Sequence, residues 1–215
     1  MSTHNIEPEN AEELFNIAYA YDNAGETAKA IEAYQQAVCI NPEHADAWHN
    51  LGFAYANAGQ STKAIEAYQH TLRITPEDAD AWHNLGFAYD NDGQSAKAIE
   101  AYQQAVCINP EHAMVWHNLG FAYANAGQST KALEAYQHTL RIDSEHAMVW
   151  NNLGVAYDND GQSAKAIEAY QQALRINPEY AKAWNNLATA YIEAGQTDKP
   201  REVFEVIDGI KRPAP

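Results

Sequence analysis

Basic residues, cysteine and long apolar runs are all scarce in this 215-residue chain. Lys and Arg number 13 against 29 Asp and Glu, which gives a formal net charge of −16. A charge of this sign repels phosphate backbones and anionic lipid, so we expect no nucleic acid or membrane partner and favour a basic one. No run approaches the roughly 18 apolar residues of a membrane span, and the first residues lack the basic and apolar regions of a secretory leader. The expected compartment is the cytoplasm.

The chain has only two cysteines, Cys39 and Cys107. They occupy the same place in two copies of a repeating pattern, with two repeats between them. Packed helices would separate them by on the order of 20 Å, whereas disulfide-bonded Cα atoms lie within about 7 Å of each other. We therefore expect free, half-buried thiols, which suits a reducing compartment.

One stretch organises the sequence, the nine residues AWHNLGFAY that begin at Ala47. Its tryptophan recurs every 34 residues, and the first copy has leucine at this place. Within the stretch, Trp48, Leu51, Gly52 and Tyr55 fall at i, i+3, i+4 and i+7, which predicts one buried face of a helix. A second apolar stretch follows in each copy, and a proline then ends it in all but the fourth. The tryptophan positions are Trp48, Trp82, Trp116, Trp150 and Trp184.

The pattern Trp-x-x-Leu-Gly-x-x-Tyr, then Ala-x-x-x-Tyr, then Pro, at a period of 34 residues, resembles the tetratricopeptide repeat (TPR) family. The resemblance covers nearly the whole chain. It implies an all-α fold, a right-handed superhelical solenoid of antiparallel helix pairs, in which each copy buries its apolar face against its neighbours. It also implies binding to other proteins, without naming the partner.

The period predicts a single solenoid over residues 11–212, preceded by a polar, disordered lead over 1–10 and followed by a tail over 213–215. The divergent sixth copy contributes a C-terminal capping helix in which Asp198 is the N-cap and Pro200 stands in the first turn. The six copies run over 11–44, 45–78, 79–112, 113–146, 147–180 and 181–212.

Each copy should hold a first helix of about 14 residues that stops at a glycine, because glycine adopts the left-handed C-cap conformation at no steric cost. Two residues later a Ser or Thr, such as Ser61, is the candidate N-cap of the second helix, give or take one position. The glycine inside the first helix is expected to face an alanine of the second, so that the two axes approach closely. This pairs Gly52, Gly86, Gly120 and Gly154 with Ala64, Ala98, Ala132 and Ala166.

Near-identity between alternate copies adds a second periodicity. Copies 45–78 and 113–146 share one set of residues, and copies 79–112 and 147–180 share another. The duplicated unit is therefore a pair of repeats, and both recent duplication and engineering explain it.

The remaining stripe of each first helix is the candidate binding surface, because the first helices line the concave groove in the proteins that this sequence resembles. The asparagines could pair with the peptide bonds of an extended ligand or be structural, and the phenylalanines could contact a ligand or pack on a neighbouring repeat. The histidines could make binding pH-sensitive or stay neutral. The candidate residues are His49, Asn50, Phe53, His83, Asn84, Phe87, His117, Asn118, Phe121, Asn151, Asn152, Val155 and Asn186.

Catalytic and metal sites are not expected. Ser and His recur as repeat residues rather than as one nucleophile-and-base set, and the histidines of this stripe are a repeat apart, too far to share an ion at bond lengths near 2 Å. We expect no cofactor. In some family members a clamp for the carboxyl tails of chaperones uses Lys at the fifth, Asn at the ninth and Lys and Arg at the second and sixth places of first helices. Counting Ala45 as the first place, this chain has His or Asn at the fifth place, Phe, Val or Thr at the ninth and Asn rather than Arg at the sixth, and only Lys182 matches at the second.

The sequence thus predicts a non-enzymatic adaptor that binds an extended peptide, and its acidic charge favours a basic one. Two alternatives are open: a scaffold that self-associates as a homo-oligomer, and a designed or duplicated array with no evolved ligand.

Overall fold

The computed structural model describes residues 10–196 and 199, and this part of the chain contains eleven α-helices and no strand. Residues 1–9 of the lead predicted over 1–10, the tail, and the predicted capping helix apart from Lys199 lie outside the described residues. Asn10, the last residue of the predicted disordered lead, is instead the N-cap of α1. The all-α class is confirmed. The helices are α1 (Ala11–Asn23), α2 (Thr27–Ile40), α3 (Ala45–Asn57), α4 (Ser61–Ile74), α5 (Ala79–Asn91), α6 (Ser95–Ile108), α7 (Ala113–Asn125), α8 (Ser129–Ile142), α9 (Ala147–Asn159), α10 (Ser163–Ile176) and α11 (Ala181–Glu193).

The chain divides between Asn109 and Pro110 into two compact units. The first contains α1 to α6 and the second α7 to α11. Inside each unit, every helix packs on the next one along the chain. The first helices of successive repeats also touch, α1 with α3 and α3 with α5 in the first unit, and α7 with α9 and α9 with α11 in the second.

The turn between the two helices of a repeat explains where the first helix ends and the second begins. At Gly59, φ is 70° and the Gln60 N–H donates to the Tyr55 carbonyl at 2.9 Å, which is the geometry of a helix terminated by a left-handed glycine. The predicted C-cap glycines are thus confirmed. The second helix begins one residue earlier than the candidate N-cap predicts, which is within the predicted margin of one position. Ser61 is already helical, and Gln60 takes the cap position without a side-chain bond, so the serine does not cap the helix.

Close packing at the glycine inside the first helix is confirmed, but its predicted neighbour is wrong. A Cβ added to Gly52 would lie 2.8 Å from Cε1 of Tyr68, and the other three internal glycines face Tyr102, Tyr136 and Tyr170 in the same way. The tyrosine stands one turn beyond the expected alanine on the same helix face. The glycine therefore makes room for an aromatic ring.

A tyrosine in each of the first helices α3, α5, α9 and α11 joins neighbouring repeats. The hydroxyl of Tyr55 accepts a hydrogen bond from Gln35 Nε2 of the preceding repeat at 2.6 Å, and the ammonium of Lys63 lies 5.3 Å from the ring centroid. The ring thus combines a hydrogen bond across repeats with a cation–π contact inside its own. The same bond joins Gln69 to Tyr89, Gln137 to Tyr157 and Gln171 to Tyr191.

The repeated tryptophans are half-buried rather than fully in the core. The indole N–H of Trp48 donates to the carbonyl of Pro42 at 2.9 Å, and its ring stacks on His70 at 4.1 Å. In the fourth copy, Trp150 donates to the carbonyl of Ser144 at 2.9 Å. Because the indole N–H needs only a main-chain carbonyl oxygen, the fourth copy forms this hydrogen bond without a proline.

Both cysteines are free, but they are exposed rather than half-buried as predicted. Each is the penultimate residue of its helix, α2 or α6, and the neighbouring repeat does not cover it. Among the described residues, no helix has the length and apolar character needed to cross a membrane.

Candidate ligand-binding face

The stripe of the first helices that does not pack inward is called here the first-helix face. It comprises the second, fifth, sixth, ninth and twelfth residues of each first helix, which in α3 are Asp46, His49, Asn50, Phe53 and Ala56. Since the first helices of a unit touch in succession, their stripes lie side by side. Each unit therefore presents one such face.

The phenylalanines of this face are exposed. Phe53, Phe87 and Phe121 show 47 %, 51 % and 51 % of their surface to solvent. The alternative that they pack on a neighbouring repeat is therefore wrong. Val155, at the same place in the fifth copy, is half-buried.

The predicted asparagines make hydrogen bonds between repeats. Asn84 Nδ2 lies 3.2 Å from His49 Nε2, and Asn186 Nδ2 donates to Asn151 Oδ1 at 2.9 Å. These bonds support the structural interpretation of the ladder. They engage the amide nitrogens of these side chains. Asn50, Asn118 and Asn152 are half-buried like Asn84 and Asn186.

Two predicted binding residues are buried. His117 is 8 % exposed and Asn151 is 0 % exposed, because the next repeat covers each of them. His117 Nε2 lies 3.2 Å from Asn152 Nδ2 of the next repeat. Both residues join repeats and do not face a ligand, so their assignment to the binding surface is wrong.

The histidines at the fifth position have different electrostatic surroundings. His49 Nδ1 lies 3.7 Å from Asp78 Oδ2. His117 instead faces His146, with ring centroids 6.0 Å apart, and its buried Nδ1 has no hydrogen-bond partner. Burial, and then the charge of His146, lower the pKa of His117. The half-buried His83 has its ring 5.9 Å from that of Tyr102.

Two carboxylates at the twelfth position were not identified from the sequence. Tyr102 donates to Asp90 Oδ2 at 3.0 Å, and Tyr170 donates to Asp158 Oδ2 at 2.7 Å. Burial raises the pKa of both carboxyl groups, while the tyrosine bond opposes that rise. The signal was the Asp-for-Ala alternation between copies, which distinguishes Asp90 and Asp158 from Ala56 and Ala124.

Charge is segregated between the two layers of helices. Among the described helices, Lys182 is the only Lys or Arg on a first helix, and all others lie on second helices. The first-helix face of the first unit therefore carries carboxylates and no permanent positive charge.

The cavities lie on the other side of each unit, between second helices. One of about 840 Å³ lies among α8, α9 and α10, and one of about 720 Å³ among α4, α5 and α6. In the cavity of about 840 Å³, Lys165 lies 5.4 Å from the ring centroid of Tyr157. Two of its lining residues are therefore already engaged in a contact within the repeat. No cluster of three or more potential metal ligands occurs within residues 10–196 and 199.

These features define a helical repeat protein with an exposed polar and aromatic face. Tetratricopeptide repeat profiles match residues 23–86 together with 159–213, residues 111–179 and residues 79–112. The chain belongs to the tetratricopeptide repeat family, and the predicted solenoid class is confirmed.

Several solved structures are similar. A MamA protein is 27 % identical over 80 % of this chain and 94 % of its own, with a TM-score of 0.75. YrrB, described as a TPR protein with an unusual peptide-binding site, is 25 % identical over 82 % and 91 %, also with a TM-score of 0.75. A repeat protein from Parabacteroides merdae, 18 % identical over 96 % and 82 % with a TM-score of 0.79, shows the fold alone. A search of curated proteins gave no match.

The family and these neighbours support a general role in protein interaction. Proteins of this family are generally scaffolds without catalytic activity.

Proposed function

We propose that the protein is a non-enzymatic adaptor that holds an extended segment of another protein on its first-helix faces. The observation that carries this proposal is the register of exposed aromatic rings, with Phe53, Phe87 and Phe121 at the same place in three successive repeats. Exposed aromatic side chains dominate the binding energy of protein interfaces because they bury a large area at a small entropic cost. The description of YrrB as peptide-binding supports the same role.

The asparagines would act beside the rings. The inter-repeat bond of Asn84 uses its amide nitrogen, so its carbonyl oxygen can accept a main-chain N–H of the ligand. This contact does not depend on the ligand's side chains. The phenylalanines would then provide contact area and the asparagines would hold the backbone, and the excess of acidic residues would favour a basic segment.

A peptide display selection tests this proposal on the full chain. We expect enrichment on the wild type that is lost in the Phe53→Ser/Phe87→Ser/Phe121→Ser variant. The control is Ile40→Ser/Ile108→Ser, which removes exposed apolar side chains at the ends of second helices. Enrichment that survives loss of the phenylalanines, or that both variants abolish equally, contradicts the proposal.

Self-association is a second candidate function, favoured by one observation at α1. Ile17 occupies the place of the buried Leu51, yet it is exposed because no described repeat precedes α1. Another copy could cover it. Light scattering across protein concentrations should then show an oligomer that Ile17→Lys dissociates, whereas a monomer at all concentrations contradicts this function.

A further inference from the structure

The second residue of the first helices changes its chemistry along the chain. In the first unit it is Glu12, Asp46 and Asp80, and in α7 and α9 of the second unit it is Met114 and Met148. All five side chains are exposed, the two methionines at 50 % and 42 %. Exposed methionines at successive places on one face are typical of surfaces that bind apolar segments.

The second position of each first helix lies on the same side as the ninth, where Phe53, Phe87 and Phe121 are exposed. Residues seven apart share a helix face two turns along, so Asp46 stands on the same side as Phe53 and Met114 on the same side as Phe121. A ligand that contacts a phenylalanine therefore meets the residue at the second position as well.

The other charged side chains on the first helices also differ between the two units, with more carboxylates in the first. On α1, α3 and α5 every permanently charged side chain is acidic, and this set includes Asp90 at the twelfth position. Glu12 lies 3.4 Å from His44 Nε2. Helix α7 carries no Asp, Glu, Lys or Arg, α9 carries Asp158 alone, and α11 carries Lys182 at the second position and Glu193 at its end. The first face is thus aromatic and acidic. The part of the second face formed by α7 and α9 is apolar, with Phe121 as its phenylalanine.

We propose that the two units select chemically different segments of protein partners. The first unit takes a segment in which Lys or Arg alternates with apolar residues, and the second takes an uncharged apolar segment. The side chain at the second position makes this choice. The inference rests on the proposed peptide-binding function and adds the chemistry of the ligand.

Two labelled peptide probes test it on the full chain by fluorescence anisotropy. One alternates Lys with Leu and the other Ser with Leu, each about ten residues long, which extended is about 33 Å. Measurements at about 0.15 M salt suppress long-range attraction between the basic probe and the acidic chain. The variants are Asp46→Asn/Asp80→Asn in the first unit and Met114→Ser/Met148→Ser in the second.

A matched control separates local from general charge effects. Glu66→Gln/Glu100→Gln also removes two negative charges from the first unit, but from exposed positions on its second helices. The asparagine variant should bind the Lys-Leu probe about three- to tenfold more weakly, as expected for loss of two exposed ion pairs, and should leave the Ser-Leu probe within about twofold. The serine variant should show the reverse, and the control should leave both probes within about twofold.

The outcomes distinguish the inference from the function beneath it. If both probes bind through the phenylalanines but the asparagine variant and its control weaken the basic probe equally, the selection is overturned and the adaptor function stands. If neither probe binds, both are overturned. If the probe-free chain forms a dimer that Met114→Ser/Met148→Ser dissociates, a second copy covers this face and the inference is wrong.

Discussion

The glycines inside the first helices provide a test of the packing, because two of them in the second unit face tyrosines that differ in their hydrogen bonding. A Cβ at Gly154 would lie 2.5 Å from Cε1 of Tyr170, and one at Gly120 would lie 2.8 Å from Cε1 of Tyr136. Tyr170 is tied to Asp158, whereas Ala124 stands at the equivalent place opposite Tyr136. We predict that Gly154→Ala destabilises the protein more than Gly120→Ala.

The magnitude follows from two opposing effects. Carbon atoms pack at about 3.5–4.0 Å, so the ring must move by roughly 1 Å, and overpacking of this kind costs about 1–3 kcal/mol. Replacing glycine by alanine inside a helix returns about 1 kcal/mol. Gly120→Ala should therefore cost about 0–2 kcal/mol. Gly154→Ala also breaks the Tyr170–Asp158 bond, which adds about 0.5–1.5 kcal/mol.

Thermal unfolding followed by circular dichroism measures the difference, which at about 2–4 °C per kcal/mol amounts to a few degrees. Asp158→Ala provides the matched control: once it removes the acceptor, a further Gly154→Ala change should cost no more than Gly120→Ala does in the wild type. Equal costs for the two glycines in the wild type, or an unchanged gap after removal of Asp158, would refute the reasoning.

Three other predictions concern single contacts. Because burial keeps the folded pKa of His117 below its unfolded value of about 6.5, the stability that its neutral form provides is present above that pH and is lost as the pH falls below it. The fall in melting temperature from pH 7.5 to 5.5 should shrink in His117→Asn, which copies Asn151, and an undiminished fall would contradict this. Ser144→Pro should raise the free energy of unfolding by about 0.4–1 kcal/mol, since proline restricts the unfolded chain and Trp150 needs only the carbonyl; a lower melting temperature would count against it. Gln171→Ala should cost about 0.5–1.5 kcal/mol in denaturant unfolding by removing the donor to Tyr191, and no change would show that the bond contributes nothing.

The helices were predictable because the residues that end them and mark their buried faces are close together in the sequence. A glycine with positive φ, such as Gly59, ends each first helix, and the spacing of Leu51 and Tyr55 marks the buried face. These signals act within a few residues of the chain and need no knowledge of the neighbouring repeat. The displacement of the cap from Ser61 to Gln60 is also local, because the glycine turn leads into the next helix one residue sooner than a serine cap requires.

The binding face was less predictable because it depends on how repeats are placed against each other. The period groups His49, His117 and Asn151 at one position, and each of them pairs with an asparagine 35 places further along. His49 is nevertheless half-buried while His117 and Asn151 are buried, so the repeat pattern alone does not predict how far the next repeat covers this position. The sequence likewise left open whether the phenylalanines face solvent or a neighbouring repeat.

The alternation between copies has a physical counterpart that also bears on the glycine prediction. The Tyr–Asp bond forms in the two pairs that have both an internal glycine and an aspartate, Gly86 with Asp90 and Gly154 with Asp158, and these pairs show the shortest approach of ring to glycine.

The pair formed by α1 and α2 provides a natural comparison. It has Asp22 at the aspartate position but Ala18 in place of the glycine, and there the hydroxyl of Tyr34 is buried without a hydrogen bond. The aspartate alone is therefore insufficient for the Tyr–Asp bond, and the ring of Tyr34 packs against Phe15 instead, with centroids 5.9 Å apart. The α1–α2 pair already shows the packing that we expect Gly154→Ala to impose on α9 and α10.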